Sequence, residues 1–402
     1  MVLRYTLYSY NLVLHVERGE TAMFYKHLIM FFALAHTAMA CSGGIPAELV
    51  GINSEKLKEI DHAVNEAIAA KQCPGAVVLV SRFKQVIWHR AYGNRMVEPW
   101  LEPMTCDTIF DIASMTKAVV TAPAIMHLIE QKKVMLHDRI ADYFSLFAYN
   151  GKESITVEQL LRHRSGLTGN NPISDYEHGY SIALERISLR SLGGKPDTEF
   201  CYSDSGYIIL GELFNRVSGE SLDAFAVRQI FAPLGMHDTL FNPPSSLHER
   251  IAPNTQRNGS YIRGIVHDNA AYLSNQVMGH TGVFSTASDL AIFAHMMLAR
   301  GMHNGIRVLP SSTIDGMTSA GNTPLNHMRG LGWDMDTHFS YIRGSFPIGG
   351  YGHTGFTGTS LWIDPASQIV VIILTNRLHP DGQGDVVPLR KKIATIVAEA
   401  II

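Results

Sequence analysis

Between Asn53 and Lys71 apolar residues recur at helical spacing, with Leu57, Ile60, Ala63, Val64, Ala67 and Ile68 on one face and Ser54-Glu-Lys56 opening the run. Cys73-Pro-Gly75 ends that pattern. Two β-rich runs, Ala76–Val80 and Gln85–Trp88, then follow on either side of Arg82-Phe-Lys84, and their spacing predicts an antiparallel hairpin. Near the other end, Thr359–Ile363, the turn Asp364-Pro-Ala-Ser367 and the continuously apolar Ile369–Thr375 predict a second hairpin whose last strand is central. A closing helix is predicted over roughly 388–400.

The long middle reads as mainly helical and loop-rich, with turn clusters at Arg164-Ser-Gly166, Gly193-Gly-Lys-Pro196 and Asn242-Pro-Pro-Ser245. The pattern therefore predicts an α/β (α+β) fold: one antiparallel sheet built from both chain ends, flanked by helices, with a mainly helical subdomain inserted. The sheet-bearing part would take residues 53–125 and 330–402, the insert 126–329, and 41–52 would be a linker. Gly321–Gly350 has little periodicity and is read as the rim of a site.

The first forty residues look like an address. A short basic region, Met23-Phe-Tyr-Lys-His27, precedes the apolar run Leu28–Ala35, and Ala38-Met-Ala40 stands before Cys41, as in a secretory signal whose true start could be Met23. The run is too short to cross a bilayer. Cys41, followed by Ser42-Gly-Gly44, resembles the lipidated cysteine of bacterial lipoproteins; the alternative is a plain thiol at a mature N-terminus. The expected location is exported: periplasmic, or held at a membrane through Cys41.

Lys and Arg number 33 against 36 Asp and Glu, a net charge of −3, which leaves no basic field to hold a phosphate backbone and speaks against nucleic-acid binding. Nineteen His are present, but no helical His pair stands beside a Glu and no C-x-x-C occurs, so neither metal nor cofactor is expected. The four Cys, Cys41, Cys73, Cys106 and Cys201, are too few for a disulfide framework. An oxidising compartment would nevertheless allow Cys73, Cys106 and Cys201 to pair, with one left over.

Three short stretches carry candidate chemistry. In Phe110-Asp-Ile-Ala-Ser-Met-Thr-Lys117, running into the apolar Ala118–Met126, Ser114 and Lys117 lie one helical turn apart, so a hydroxyl and an amine share a face. Desolvation lowers a lysine's pKa, and a neutral amine can take a serine's proton. The bland alternative is Ser114 capping a core helix with Lys117 reaching outward. Pro123 should kink this helix.

The second stretch, Phe200-Cys-Tyr-Ser-Asp-Ser-Gly-Tyr207, offers Tyr202 as a proton relay, or as an ordinary buried phenol, with Asp204 two residues on. The third, Gly350-Tyr-Gly-His-Thr-Gly-Phe-Thr-Gly358, is a glycine-lined edge that a ligand could approach closely, or a plain turn. No G-x-S-x-G elbow occurs.

Taken together, in order and spacing, the three stretches resemble the serine β-lactamase and penicillin-binding-protein superfamily, class C branch, from about Gly75 to Arg377. Further similar segments are Thr156–Leu167, Gly264–Ala270 and Gly279–Leu290. The last two, with Tyr351–Gly358, look most like the penicillin-binding-protein-4B-like and esterase-like serine hydrolases.

The resemblance implies Ser114 as nucleophile, Lys117 as base or its electrostatic partner, and Tyr202 as proton shuttle. It also implies an oxyanion hole from the backbone N–H of Ser114 and of Phe356 on the strand edge, with Asp204, His353, Thr354 and Gly355 beside the substrate. The cycle would be acylation of Ser114 followed by attack of water.

Asp204 replaces the Asn of the family's Y-x-N, and its carboxylate should favour the protonated amine and shift the base role toward Tyr202. His353 replaces the Lys of K-T-G, so a permanent charge is expected to become one that titrates near neutrality. β-Lactams and D-Ala-D-Ala peptides both carry the carboxylate that such a lysine binds. The expected function is therefore an exported serine hydrolase acting on a small ester, amide or cell-wall peptide. Its alternatives are a DD-peptidase or weak β-lactamase, and a non-catalytic binding protein on the same fold. His163, His267 and His280 are expected to hydrogen-bond structurally, and Asp268 and Asp289 to cap helices or fix loops.

Overall fold

The computed structural model of the chain describes residues 39–41, 44–321 and 323–402. The leader reading falls on residues outside these, Met39 and Ala40 excepted.

Nine strands form one antiparallel sheet among the described residues: β1 (Met39–Ala40), β2 (Gly75–Arg82), β3 (Gln85–Met96), β4 (Glu102–Pro103), β5 (Met328–Arg329), β6 (Asp334–Asp336), β7 (Tyr351–Thr354), β8 (Ser360–Asp364) and β9 (Ile369–Thr375). Their order across the sheet is β1-β3-β2-β9-β8-β7-β6-β5, with β4 on β3, so the two ends of the chain meet at the β2–β9 seam. That seam runs in register from Arg82 opposite Ile369 to Ala76 opposite Thr375. The two-residue turn between β2 and β3 puts Phe83 and Lys84 at positive φ, 50° and 64°, a conformation that a tight hairpin imposes even without glycine.

Side chains alternate across a strand, so the apolar runs of β2 and β9 feed two cores. Ala76, Val78 and Val80, with Ile369, Val371 and Ile373, pack on helices α1 (Glu59–Ala69) and α2 (Val387–Glu399). Val77 and Leu79, with Val370, Ile372 and Leu374, face the helical middle. Truncating Ile372, which is fully buried, to Ala is expected to cost ~2–5 kcal/mol.

The middle is less purely helical than its pattern predicts. It contains a three-stranded sheet of Phe110–Asp111, Val283–Ser285 and Leu240–Phe241, whose outer strands pair for only two residues each. Such short pairings leave no readable alternation. Gly321–Gly350, read as an irregular rim, carries β5 and β6 of the main sheet. Pro123 stands inside a continuous helical run, and the disturbance expected there takes the form of a π-helical turn, Lys117–Thr121, directly before the α-helix Ala122–Glu130.

Cys41 and Cys106 are joined as a disulfide, while Cys73 is free and buried and Cys201 free and exposed. This corrects one expectation: the pairing among Cys73, Cys106 and Cys201 does not form, because the partner of Cys106 comes from the start of the domain. Among the described residues, no helix is long and apolar enough to cross a membrane.

Candidate active site

Ser114 sits where the chain leaves the small sheet and turns into the buried helix. The turn is tight enough to hold Ala113 at a φ of 46°, and the Asp111 carboxylate stabilises it by accepting the Ala113 N–H at 2.8 Å. Asp111 also accepts the backbone N–H of His267 at 2.9 Å, and its burial pushes the carboxyl pKa up to about 6.

One turn on, Lys117 is fully buried. An ammonium has three donors, and three oxygens meet this one: Ser114 Oγ at 3.1 Å, the His280 carbonyl at 2.8 Å and Asp204 Oδ1 at 2.6 Å. Burial opposes the charge, but the Asp204 carboxylate and the Tyr202 phenol outweigh it and raise the lysine's pKa. The lysine is therefore a cation at neutral pH.

Tyr202 and Asp204 reach this point from the start of the helix Asp204–Ser218, whose cap Ser203 accepts the Gly206 N–H at 3.2 Å. The Ser203 N–H donates to Nδ1 of His163 at 3.0 Å, and the His163 ring stacks on Tyr202 at 4.3 Å between centroids. Burial, with Arg329 and Lys117 nearby, pushes the His163 pKa well down, so the ring packs as a neutral imidazole. The Lys117 ammonium lies 5.1 Å from the Tyr202 ring centroid.

The third wall is β7 and the turn after it. Thr357 and Thr359 donate their hydroxyls to the carbonyls of Asp111 and Ile112, at 2.6 and 3.2 Å, and so lock this turn to the segment carrying Ser114. At Gly355 a Cβ would come within 2.1 Å of Thr359 Oγ1 and 2.5 Å of the Ile112 carbonyl, so only glycine lets the two segments approach. Arg390, buried, clamps the same turn through the carbonyls of Gly355 and Thr359, at 2.9 and 2.7 Å. Phe356 lies in the turn, two residues beyond the end of β7, rather than on the strand edge. Its ring is 60% exposed, with the Arg377 guanidinium 4.6 Å from its centroid.

His353 departs from expectation. It is buried at 4% exposure, its Nδ1 is 2.8 Å from the Thr354 carbonyl, and its Nε2 has no hydrogen-bond partner in the protein. Burial, then the charges of Arg329 and Lys117, push its pKa well below the usual value, so it does not titrate near neutrality. A fixed positive charge does stand in this cleft, on another residue. Arg329 of β5 lines the same cleft at 1% exposure, with its guanidinium 5.3 Å from the Phe200 ring centroid and 6.0 Å from that of Tyr202. Only Nη1 of Arg329 finds a carboxylate, Asp334 at 3.3 Å, while Nε and Nη2 are buried without a partner. Sequence reasoning missed Arg329 because nothing in its two-residue strand resembles a motif.

Two cavities open from Ser114. One, of ≈ 310 Å³, runs past Arg329, His353 and Thr354; the other, of ≈ 540 Å³, runs past Asn170, Asp204 and His267. Ser114, Tyr202, Phe339 and Phe356 line both. Of the eight residues singled out in the sequence, seven line one or both of these cavities, and Lys117 lies buried behind Ser114. The amide of Asn170, oriented to satisfy its neighbours, donates to Asp204 Oδ2 at 2.8 Å; it is a second residue that the motifs did not reveal. Of the histidines, His280 holds Asp268 at 3.2 Å, and Asp268 caps the helix Asn269–Ser274 through the Ala271 N–H. Asp289 fixes a loop by accepting from the Asp238 N–H and the Thr239 hydroxyl.

This combination of a sheet closed by both chain ends and a serine–lysine pair at the head of a buried helix is that of the serine β-lactamase and penicillin-binding-protein class. Residues 60–395 match the profile of the Beta-lactamase family, and the chain belongs to that family. It is 30% identical over 380 residues to a Bacillus subtilis protein named N-acetylmuramyl-L-alanine amidase, covering 83% of this chain and 84% of that one. It is 28% identical over 372 residues to an Escherichia coli K12 protein named "Putative D-alanyl-D-alanine carboxypeptidase", covering 83% and 85%. A penicillin-binding-protein homolog from Caulobacter crescentus shares the fold with a TM-score of 0.70 at 20% identity, over 87% of this chain and 99% of that one. The hydrolase EstCE1 shares it with a TM-score of 0.67 at 22% identity, over 85% and 99%.

Proposed function

We propose that the protein is an exported serine hydrolase that forms an acyl-enzyme on Ser114 and acts on a small ester, amide or cell-wall peptide. The observation that carries this reading is the contact of a fully buried ammonium, Lys117, with a partly exposed serine hydroxyl at 3.1 Å, at the junction of two cavities. The Cys41–Cys106 disulfide supports export, because such bonds persist in oxidising compartments.

With Asp204 holding Lys117 as a cation, the lysine is a poor proton acceptor. Tyr202 acts in its phenolate form, its own proton released to solvent with the Lys117 ammonium stabilising the charge; that oxygen takes the Ser114 proton instead. Ser114 Oγ attacks the carbonyl, whose oxyanion faces the N–H groups of Ser114 and Phe356. Tyr202 passes its proton to the leaving group as the acyl-enzyme forms. Water then enters, gives a proton to Tyr202 and attacks the acyl carbon, and the proton returns to Ser114 as the acid departs.

A second reading, a DD-peptidase, gains weight from Arg329. Its unpartnered guanidinium nitrogens offer a substrate carboxylate the fixed charge that His353 does not. The names of the Bacillus and Escherichia relatives agree with a cell-wall substrate. The test is turnover of chromogenic esters, D-amino-acid peptides and a cephalosporin, together with labelling by a serine-reactive phosphonate, with Ser114→Ala as control. Ester turnover with phosphonate on Ser114 supports the hydrolase; cleavage of a terminal D-alanine assigns the peptidase. Failure of all substrates and of labelling leaves the binding-protein alternative.

A further inference from the structure

The Cys41–Cys106 disulfide has a third neighbour. One ring nitrogen of His89 and the two sulfur atoms all lie within 4.8 Å of one another. The three residues come from separate places: His89 from β3, Cys41 from the segment after β1, whose N–H donates to the His89 carbonyl at 3.1 Å, and Cys106 from the loop after β4. None of them lines either cavity at Ser114. The Nε2 atom of His89 is buried and has no hydrogen-bond partner in the protein, a costly state for a polar atom.

We propose that Cys41, His89 and Cys106, in their reduced form, bind a thiophilic divalent cation of the zinc type, as an alternative to the disulfide at the same two sulfurs. Two thiolates and an imidazole, with water in the fourth position, make a tetrahedral set whose donor atoms lie roughly 3.5 Å apart, within reach by side-chain rotation. Reduction by a tertiary phosphine balances as follows: the phosphine takes oxygen from water and becomes its oxide, the S–S bond breaks, and the two protons of that water go to the thiolates. Metal binding then releases the two thiol protons. The ligands stand at positions 41, 89 and 106, a spacing that matches no zinc motif.

Cobalt(II) is the probe. The full chain, reduced with the phosphine, is expected to develop thiolate-to-cobalt charge-transfer absorption that saturates at one ion per chain and that added zinc displaces; the oxidised chain should show none. Cys41→Ser and Cys106→Ser, each checked for folding by circular dichroism, should abolish the band. His89→Ala should weaken cobalt binding by about ten-fold or more. The proposal is overturned by an absent band in the reduced chain, by a band that survives in both cysteine variants, or by unchanged affinity in His89→Ala. A thioether-linked lipid on Cys41 in the mass spectrum of the exported protein also overturns it.

Discussion

The two sides of the Ser114 cleft treat buried charge in opposite ways. On the Lys117 side the ammonium donates to Ser114 Oγ and the His280 carbonyl and is ion-paired with the Asp204 carboxylate at 2.6 Å. On the Arg329 side, the guanidinium has one 3.3 Å contact and two unmet nitrogens, beside an imidazole held neutral. A compensated buried charge is suited to moving a proton, because its field is fixed and no substrate group is needed to complete it. Arg329 is paired with Asp334 through one nitrogen only, which leaves two buried donors open to an anionic group. In the proposed function the first side serves proton transfer and the second the recognition of an anionic group.

Removing the nucleophile tests the first assignment most severely: Ser114→Ala should lower kcat for a chromogenic ester by about 10⁴-fold or more and abolish phosphonate labelling. Arg329→Leu separates the two sides. For a peptide ending in a free carboxylate, kcat/KM should fall by about 10–100-fold, mostly through KM, while a neutral ester keeps its KM. An equal loss on both substrates would contradict the assignment.

Asp204→Asn acts on the other side. Losing the carboxylate removes the leading influence that raises the Lys117 pKa, so the alkaline limb of the kcat/KM–pH profile should move to lower pH. An unmoved limb would mean that the limb does not report Lys117.

The smallest effect concerns stability. His163 and His353 have folded-state pKa values below those of the unfolded chain, so the unfolded state binds protons more readily in acid. The stability they contribute is present above about pH 6.5 and is lost as pH falls below it. Asp111, pushed up to about 6, works in the opposite sense and regains stability on protonation. Thermal melts should show Tm falling from pH 7 to pH 5, and His353→Gln should flatten that fall.

Much of this was legible in the chain wherever a local rule governs. Ala76–Val80 and Ile369–Leu374 are apolar at every position, which marks strands buried on both faces, and their place at opposite ends implied a sheet closed by both. Ser114 and Lys117 were legible because helical spacing alone puts them on one face. Other features were hidden because their causes lie far away in sequence. The neutrality of His353 comes first from its burial and then from Arg329, on a strand too short to show a pattern. Cys106 is paired by position in space, not by spacing.

Residue type and near-neighbour periodicity thus set the strands, the helices and the identity of the reactive groups, because each depends on interactions within a few residues. Burial, protonation state and the partner of each charge were decided by folding, because desolvation and electrostatic fields depend on distances between segments that lie up to about two hundred residues apart in the chain.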